Sequence, residues 1–378
     1  MGALKIVSVM TTAARGGGEY AAADMLDALA ARGHECVMLS NVPELTAGTR
    51  VPVHPIDLGP KLGRRTAAGL VLRAPLLLRA LRRALEREAP YDALLVHYKK
   101  EQLLAAALPR RLRPKLVWAE WGPVPHQLRS GPAGALYRRA ARDVDVILAV
   151  SAGTRDSLVE AGIDPGRIEV VPNVMDPDAV VFSAEARRTV RERLGIPPDA
   201  FTVGCVSRLH PKKPLDVLIR AVLRMDDSVH LVIAGDGETE AALRELAAPL
   251  GERAHFLPTP HRKIGEVLSA LDVSVFCPSP TEGAPRAVIY AELASRPVVS
   301  TGPEGVRDMI EPGTGAIVAP EHDDAALAAV LDEYRRDPER VEREGAAGRR
   351  LAVERYDGAR IAARIEELLA ARSTAAAG

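Results

Sequence analysis

Short, continuously apolar runs alternate with helical patterns along this chain, and that alternation leaves few folds open. "LKIVSVM" (Leu4–Met10) precedes a helical pattern from about Glu19 to Arg32, and "ECVMLS" (Glu35–Ser40) follows it. "YDALLVH" (Tyr91–His97), "KLVWAE" (Lys115–Glu120), "VDVILAVS" (Val144–Ser151) and "IEVVPN" (Ile168–Asn173) continue the series. Strands that are apolar on both faces and separated by helices belong in parallel sheets covered on both sides. A second series opens with "FTVGCVSRL" (Phe201–Leu209) and a helix over "PLDVLIRAVLRM" (Pro214–Met225), with proline in its first turn. "VHLVIAGDG" (Val229–Gly237), "RAHFLP", "VSVFCPS" and "RPVVST" supply further strands. A polar segment containing prolines separates the two series and places a linker near Asp176–Ser183. The expected architecture is α/β: two facing Rossmann-like domains, 1–178 and 179–357, each with a parallel sheet. Ligands of such sheets bind at the strands' carboxyl ends, here an interdomain cleft. A last helix, about 358–372, is free to pack back on the first domain, and "RSTAAAG" after it reads as a frayed tail.

Composition narrows the function classes. With 378 residues, 47% of them hydrophobic, the chain can bury full cores. Fifty basic side chains balance fifty acidic ones, which argues against a dedicated nucleic-acid binder. Cys36, Cys205 and Cys277 are far apart, apolar in context and without metal spacing, as in a reducing, cytoplasmic setting. "MGALKIVSVM" is too short and too charged for a signal peptide, and no apolar stretch reaches the roughly 20 residues of a spanning helix. "LVLRAPLLLRALRRALERE" (Leu70–Glu88) mixes leucine with arginine. Such a helix can lie on an anionic membrane, but a helix covering the sheet with snorkelling arginines is the favoured reading.

Three stretches carry candidate chemistry. Arg208 and Lys213 follow a strand and precede a helix, so they belong at a carboxyl edge of the second sheet. Cations there suit the growing charge of a departing diphosphate, arginine as a bidentate fork and lysine as a point charge. In "TEGAP", Glu282 precedes Gly283 and Ala284, whose backbone can approach a ligand closely, and Pro285 opens a helix with its positive end toward them. Gly16-Gly17-Gly18 matches the dinucleotide pattern G-x-G-x-x-A through Ala21. A dehydrogenase is disfavoured, because the glycines trail the strand by several residues and "LSN" ends the second strand without a ribose-binding acid.

Taken in order, several blocks resemble the retaining glycosyltransferases of family four, which have the GT-B fold. They are "RGGGEYAAADMLDALAARGHEC", "VDVILAVSAGTRDSLVEAGIDPGRIEVVPNVMDPDAVVF", "VSRLHPKKPLDVLIRAV", "LVIAGDGETEAALRELAAPL" and "PSPTEGAPRAVIYAELASRPVVSTGPEGVRDMI". The resemblance covers nearly the whole chain. It implies a metal-independent enzyme that moves a sugar from a nucleoside diphosphate sugar, its co-substrate, to a small molecule or glycan. No resident cofactor, no metal and no nucleic-acid partner are expected; membrane-surface association is not favoured. By resemblance Arg208 and Lys213 hold the diphosphate, Glu282 accepts from donor-sugar hydroxyls with Gly283, Ala284 and Pro285 beside it, and Gly17 and Gly18 close over the donor. The family has a second Glu, eight residues after the first, that grips the ribose diol; here Tyr290 stands there. Glu292 lies two residues further, about 200° around a helix, and reads as a surface or packing carboxylate, with a shifted ribose ligand as the alternative. On the acceptor side the resemblance points to Glu19, His97, Glu120 and His126. Trp121 stands where a family His is common, and either stacks on a sugar or fills core. His97 either orients an acceptor hydroxyl or is a satisfied structural histidine. Tyr290 suggests tolerance of 2′-deoxy donors, as in specialised-metabolite tailoring. A sugar-nucleotide epimerase and a non-catalytic sugar-nucleotide binder of the same fold stay open as alternatives.

Overall fold

The computed structural model describes residues 2–12, 16–42, 49–63, 65–258, 263–279, 281–303 and 305–371. In chain order the elements are β1 (Lys5–Met10), α1 (Gly17–Ala31), β2 (Glu35–Ser40), β3 (Val53–Pro55), α2 (Ala67–Glu88), β4 (Ala93–Val96), α3 (Lys99–Ala106), β5 (Leu116–Glu120), α4 (Gly131–Ala141), β6 (Val146–Ala149), α5 (Ala152–Glu160) and β7 (Ile168–Val170). There follow α6 (Ala184–Leu194), β8 (Thr202–Val206), α7 (Leu215–Leu223), β9 (His230–Ala234), α8 (Glu240–Ala247), β10 (Ala254–Leu257), α9 (Ile264–Ala270), β11 (Val273–Phe276), α10 (Arg286–Leu293), β12 (Val298–Ser300), β13 (Gly315–Ile317), α11 (Asp324–Arg336), α12 (Pro338–Tyr356) and α13 (Gly358–Ala370). They form two compact units, one of Met1–Met175 plus the segment from Gly358 on, the other of Asp176–Asp357.

The boundary falls at Met175, three residues before the expected 178. Val174 is buried in the first unit's core, and the Met175 carbonyl accepts from the Gly358 amide, which ties α13 to that unit. Val180 and Val181 instead lie over Gly265 of the second unit. A helix, α6, begins directly after the expected linker, with Ser183 as its N-cap. On α6, Arg187 and Arg191 grip Asp272 at 2.6 and 2.9 Å, and Arg191, only 2% exposed, donates to the carbonyls of Ala270, Pro198 and Ala200. Those carbonyls and one carboxylate give the buried guanidinium the partners it needs.

In the first unit seven strands run in the order β3-β2-β1-β4-β5-β6-β7, with all described pairings parallel. Alternation along β1 feeds both faces: Val7 and Val9 join Leu77, Leu81, Leu85, Trp118 and Tyr137 on one side, and Ile6 and Met10 join Met25, Leu26, Leu29, Ile361 and Ile365 on the other. A fully buried leucine such as Leu26 contributes about 2 kcal/mol. The second sheet has the order β10-β9-β8-β11-β12-β13, again parallel. Leu215, Leu218, Ile219 and Val222 recur at helical spacing on α7 and are buried against it. Sequence patterning did not identify β3 and β13; each is a three-residue strand at a sheet edge. Their runs are too short for a period-two pattern to register. All three cysteines are buried, Cys36 in the first unit and Cys205 and Cys277 in the second. The expected tail after α13 lies outside the described residues. No described helix is long and apolar enough to cross a membrane.

Candidate active site

The second sheet reverses its winding between β8 and β11, and a crevice opens at the carboxyl ends of strands at such a point. Arg208 and Lys213 follow β8, and Glu282 follows β11, so the three flank the reversal. Lys213 Nζ pairs with Glu282 Oε1 and sits 4.7 Å over the Phe276 ring. Ser279 Oγ donates to the same oxygen at 2.8 Å. Both side chains of the ion pair are 16% exposed, so each keeps a face toward solvent. Arg208 is exposed and has no ion-pair partner among the described residues.

Glycines of neighbouring loops make this arrangement fit. A Cβ at Gly235 would lie 1.8 Å from the Ser207 carbonyl oxygen, and one at Gly237 would lie 2.0 Å from that of Leu209. The turn after β9 therefore rests directly on the backbone that carries Arg208, fixed by Leu209 N–H donating to Asp236 O at 3.0 Å. Gly305 has φ +72°, and a Cβ there would lie 2.6 Å from Glu282 Cβ. The loop after β12 thus braces Glu282 at a contact only glycine permits.

At the start of α10, Gly283 and Pro285 are buried, and Pro285 takes the N-cap position. Tyr290 is half-buried. Its hydroxyl accepts from Arg286 Nε at 3.1 Å and from Arg286 Nη2, one helical turn earlier. Glu292 is not a surface residue: it is 1% exposed and packs beside Gly348 of α12. Neither of its carboxylate oxygens has a hydrogen-bond partner among the described residues. Burial pushes its carboxyl up to about 8, opposed by Arg355 and reinforced by Glu311.

The first sheet reverses between β1 and β4, and most of the other candidates collect at that edge. Gly17 and Gly18 begin α1, and a Cβ at Gly18 would meet Trp121 Cδ1 at 3.3 Å. Trp121 stacks on His97 with ring centroids 5.8 Å apart and donates from Nε1 to His97 Nδ1 at 3.3 Å. Nε2 of His97 then carries the proton and donates to Ser8 Oγ at 2.7 Å. Burial holds the imidazole neutral, with its pKa lowered to about 3. Both ring nitrogens are engaged inside the protein, so the structural reading of His97 fits the geometry. Glu120 is 3% exposed and equally saturated, by Lys99, by Gln102 at 2.9 Å and by the Tyr137 hydroxyl at 2.9 Å. Glu19, 1% exposed, accepts from the Tyr98 hydroxyl and from Lys61 at 3.2 Å. His126 is exposed on a short turn before α4, apart from these contacts. No group of side chains suited to a metal ion occurs among the described residues.

A model of the family described as Glycosyltransferase Family 4 matches residues 15–179, and one described as Glycosyl transferases group 1 matches residues 200–337. The chain belongs to this glycosyltransferase family. Among its relatives, a GDP-mannose-dependent alpha-(1-6)-phosphatidylinositol monomannoside mannosyltransferase of Mycolicibacterium smegmatis is 31% identical over 257 residues, covering 64% of this chain and 66% of the relative. A D-inositol 3-phosphate glycosyltransferase of Stackebrandtia nassauensis is 32% identical over 192 residues, covering 47% of this chain and 43% of the relative. The chain thus spans less than two thirds of the length of these relatives. Anabaena HepE in complex with UDP-glucose superposes with a TM-score of 0.82 at 21% identity, covering 98% of this chain and all of that one. WaaG, a glycosyltransferase of lipopolysaccharide biosynthesis, gives 0.72 at 17%, covering 97% and 100%. The fold is the expected α/β type, two Rossmann-like domains of the GT-B class.

Within this glycosyltransferase frame, the sequence pattern did not single out Ser279, Gly305, Arg286, Lys61, Tyr98 or Lys99. Gly305 sits three residues after Gly302 in a loop opened by proline, a signal for a turn but not for a contact with Glu282. Lys99 and Tyr98 directly follow His97, so the strand-end argument that selected His97 covered them equally.

Proposed function

We propose that the chain is a retaining, metal-independent glycosyltransferase that moves a sugar from a nucleoside diphosphate sugar to a hydroxyl of a small molecule or glycan. The observation that carries this reading is the Lys213–Glu282 pair braced beside the solvent-open Arg208 where the second sheet reverses. Arg208 and Lys213 face the diphosphate. As the bond between the anomeric carbon and the β-phosphate oxygen breaks, its electron pair passes to that oxygen, and the two cations offset the growing charge. The acceptor oxygen bonds to the anomeric carbon on the same face, and its proton goes to the departing phosphate. Glu282 accepts hydrogen bonds from the sugar hydroxyls, with Gly283, Ala284 and Pro285 closing the loop beneath. Nucleotide sugars as donors are in keeping with the GDP-mannose and UDP-glucose named for the relatives.

Tyr290 sets the nucleotide preference in this reading. Arg286 already donates to its hydroxyl, so Tyr290 has one proton to offer and cannot accept from both hydroxyls of a ribose diol. A site of this kind discriminates weakly against 2′-deoxy donors. The test is turnover of a panel of UDP-, GDP- and dTDP-sugars with detection of the freed nucleoside diphosphate and of the anomeric configuration of the product. Diphosphate release with retained configuration, surviving a chelator, supports the proposal. Tight donor binding without turnover identifies a binder instead, and full, reversible loss on chelation overturns the metal-free step.

A further inference from the structure

We propose that the first unit carries a second ligand site, for the phosphate of a small hydroxylated molecule such as a hexose phosphate. Arg138, Arg139, Arg142, Arg167 and Asp164 line a pocket of about 330 Å³. That volume suits a compact metabolite, since small-molecule sites run from roughly 300 to 1,000 Å³. The pocket lies where α4 ends and where Arg167 leads into β7, at the amino ends of β6 and β7. Glu120, Trp121 and His97 stand at the carboxyl ends of the same sheet. A four-residue strand such as β6 sets about 13 Å between the two ends.

Two of the arginines are built into the wall. Arg138 is half-buried, and its Nη1 donates to the carbonyls of Arg129 at 3.2 Å and Ala161 at 3.3 Å. Two glycines leave it a channel: a Cβ at Gly162 would lie 2.8 Å from Arg138 Cδ, and one at Gly134 would lie 3.2 Å from Nη1. Arg167 is half-buried too, and its Nη1 donates to the Val144 carbonyl. Carbonyls orient these guanidiniums without cancelling their charge. Nε and Nη2 of Arg138 and Nη2 of Arg167 keep donors without a hydrogen-bond partner among the described residues. Capping of α4 does not explain the cluster, because the last carbonyls of that helix already accept from the backbone amides of Arg142, Asp143 and Val144.

Charge selects the occupant. Arg139 and Arg142 are exposed, with no ion-pair partner among the described residues. Asp143 and Asp145, just before β6, are engaged by Arg113 at 3.3 Å and Arg110 at 3.2 Å. Four arginines therefore share one carboxylate, Asp164, whose Oδ2 lies 3.7 Å from Arg167 Nε. A phosphomonoester carries close to two negative charges at about pH 7 and three acceptor oxygens, which guanidinium forks fit. Asp164 accepts hydrogen bonds and repels a bare anion, so it calls for hydroxyls on the same molecule.

The experiment is calorimetric titration of glucose 6-phosphate, glucose and inorganic phosphate into the full chain and into its Arg208→Ala, Lys213→Ala variant, which lacks the cations of the candidate donor site. Both proteins should bind glucose 6-phosphate alike, about tenfold or more tighter than inorganic phosphate, with no detectable binding of glucose. Affinity should fall with salt, and below about pH 6 as the phosphate takes up its second proton. Arg139→Gln with Arg142→Gln should weaken binding about tenfold or more. Both side chains are exposed, so the melting curve of that variant should match the wild type. No binding, binding that the Arg139 and Arg142 variant leaves intact, or equal affinity for the two anions overturns the proposal. Binding lost in the Arg208→Ala, Lys213→Ala variant assigns the ligand to the donor site instead. Displacement by phosphatidylglycerol vesicles at equal phosphate overturns the soluble ligand in favour of a headgroup.

Discussion

The carboxyl edges of the two sheets use similar residues in opposite ways. At the first edge Glu19, Glu101 and Glu120 are buried and each meets a lysine: Lys61 at 3.2 Å, Lys100 at 3.6 Å, and Lys99. Desolvation lowers the pKa of Lys99 and Lys100 and raises that of Glu101, opposed by the partner charges. Charge there is spent inside the protein and fixes the geometry of the edge. At the second edge the Lys213–Glu282 pair is partly open and Arg208 is unpaired among the described residues. An anionic ligand can recruit that charge without breaking a buried network. An edge whose carboxylates are buried and paired suits a floor, and one that keeps an exposed, unpaired arginine is free to meet a ligand.

The sharpest way to break this contrast is to open the floor. Glu120→Ala leaves Gln102 and Tyr137 buried without this acceptor and Lys99 without its carboxylate, and should cost about 3–5 kcal/mol of stability in a denaturant titration. A loss under about 1 kcal/mol would mean that water already reaches the first edge. At the second edge the effect should fall on rate. Arg208→Ala and Lys213→Ala should each lower kcat by about 10²-fold or more, and the Arg208 variant should keep the wild-type melting temperature, since its side chain is exposed. Near-normal turnover in both would remove them from the mechanism.

Glu292 belongs to neither edge and gives a smaller effect of distinct sign. Its folded pKa, about 8, lies above the ordinary carboxyl value of 4.5, so the folded state holds a proton that the unfolded chain releases. Stability should therefore fall as pH rises from about 4.5 to about 8. Glu292→Gln, which keeps the shape without the charge, should gain roughly 2 kcal/mol at pH 8 and almost nothing at pH 5, because each pKa unit is worth about 1.4 kcal/mol before local relaxation and the amide's own burial are subtracted. Equal melting temperatures at both pH values would show that the carboxylate finds a partner when ionised. The smallest expected change is in specificity. Tyr290→Glu should shift the kcat/KM ratio of UDP- to dTDP-linked forms of one sugar about tenfold toward the ribonucleotide. An unchanged ratio would move the ribose away from α10.

Most of the fold was legible in the sequence, because buried parallel strands are continuous apolar runs and runs of four or more residues stand out against their polar loops. The second edge was legible for a related reason. Arg208, Lys213 and Glu282 follow strand ends in loops that carry proline or glycine, so strand position places them at a carboxyl edge. What escaped was pairing. Nothing in the local sequence says that Glu120 meets Lys99, since that depends on which loops adjoin at a reversal. The same blindness hid the exposed Leu72 and Leu76 of α2: a pattern of leucines shows how many a helix carries, not how many the sheet has room for.

The buried cysteines leave the surface chemically blank. Cys36, Cys205 and Cys277 are at most 4% exposed, and burial pushes the thiols of Cys36 and Cys277 up to about 12, with Cys205 raised as well. A maleimide or nitroxide needs a reachable thiolate, so the native chain should stay unlabelled while folded. One cysteine introduced at the surface would then be the sole attachment point for a spectroscopic probe, with no background to subtract. Placed at the exposed Leu72, such a probe would register the polarity of whatever medium touches α2.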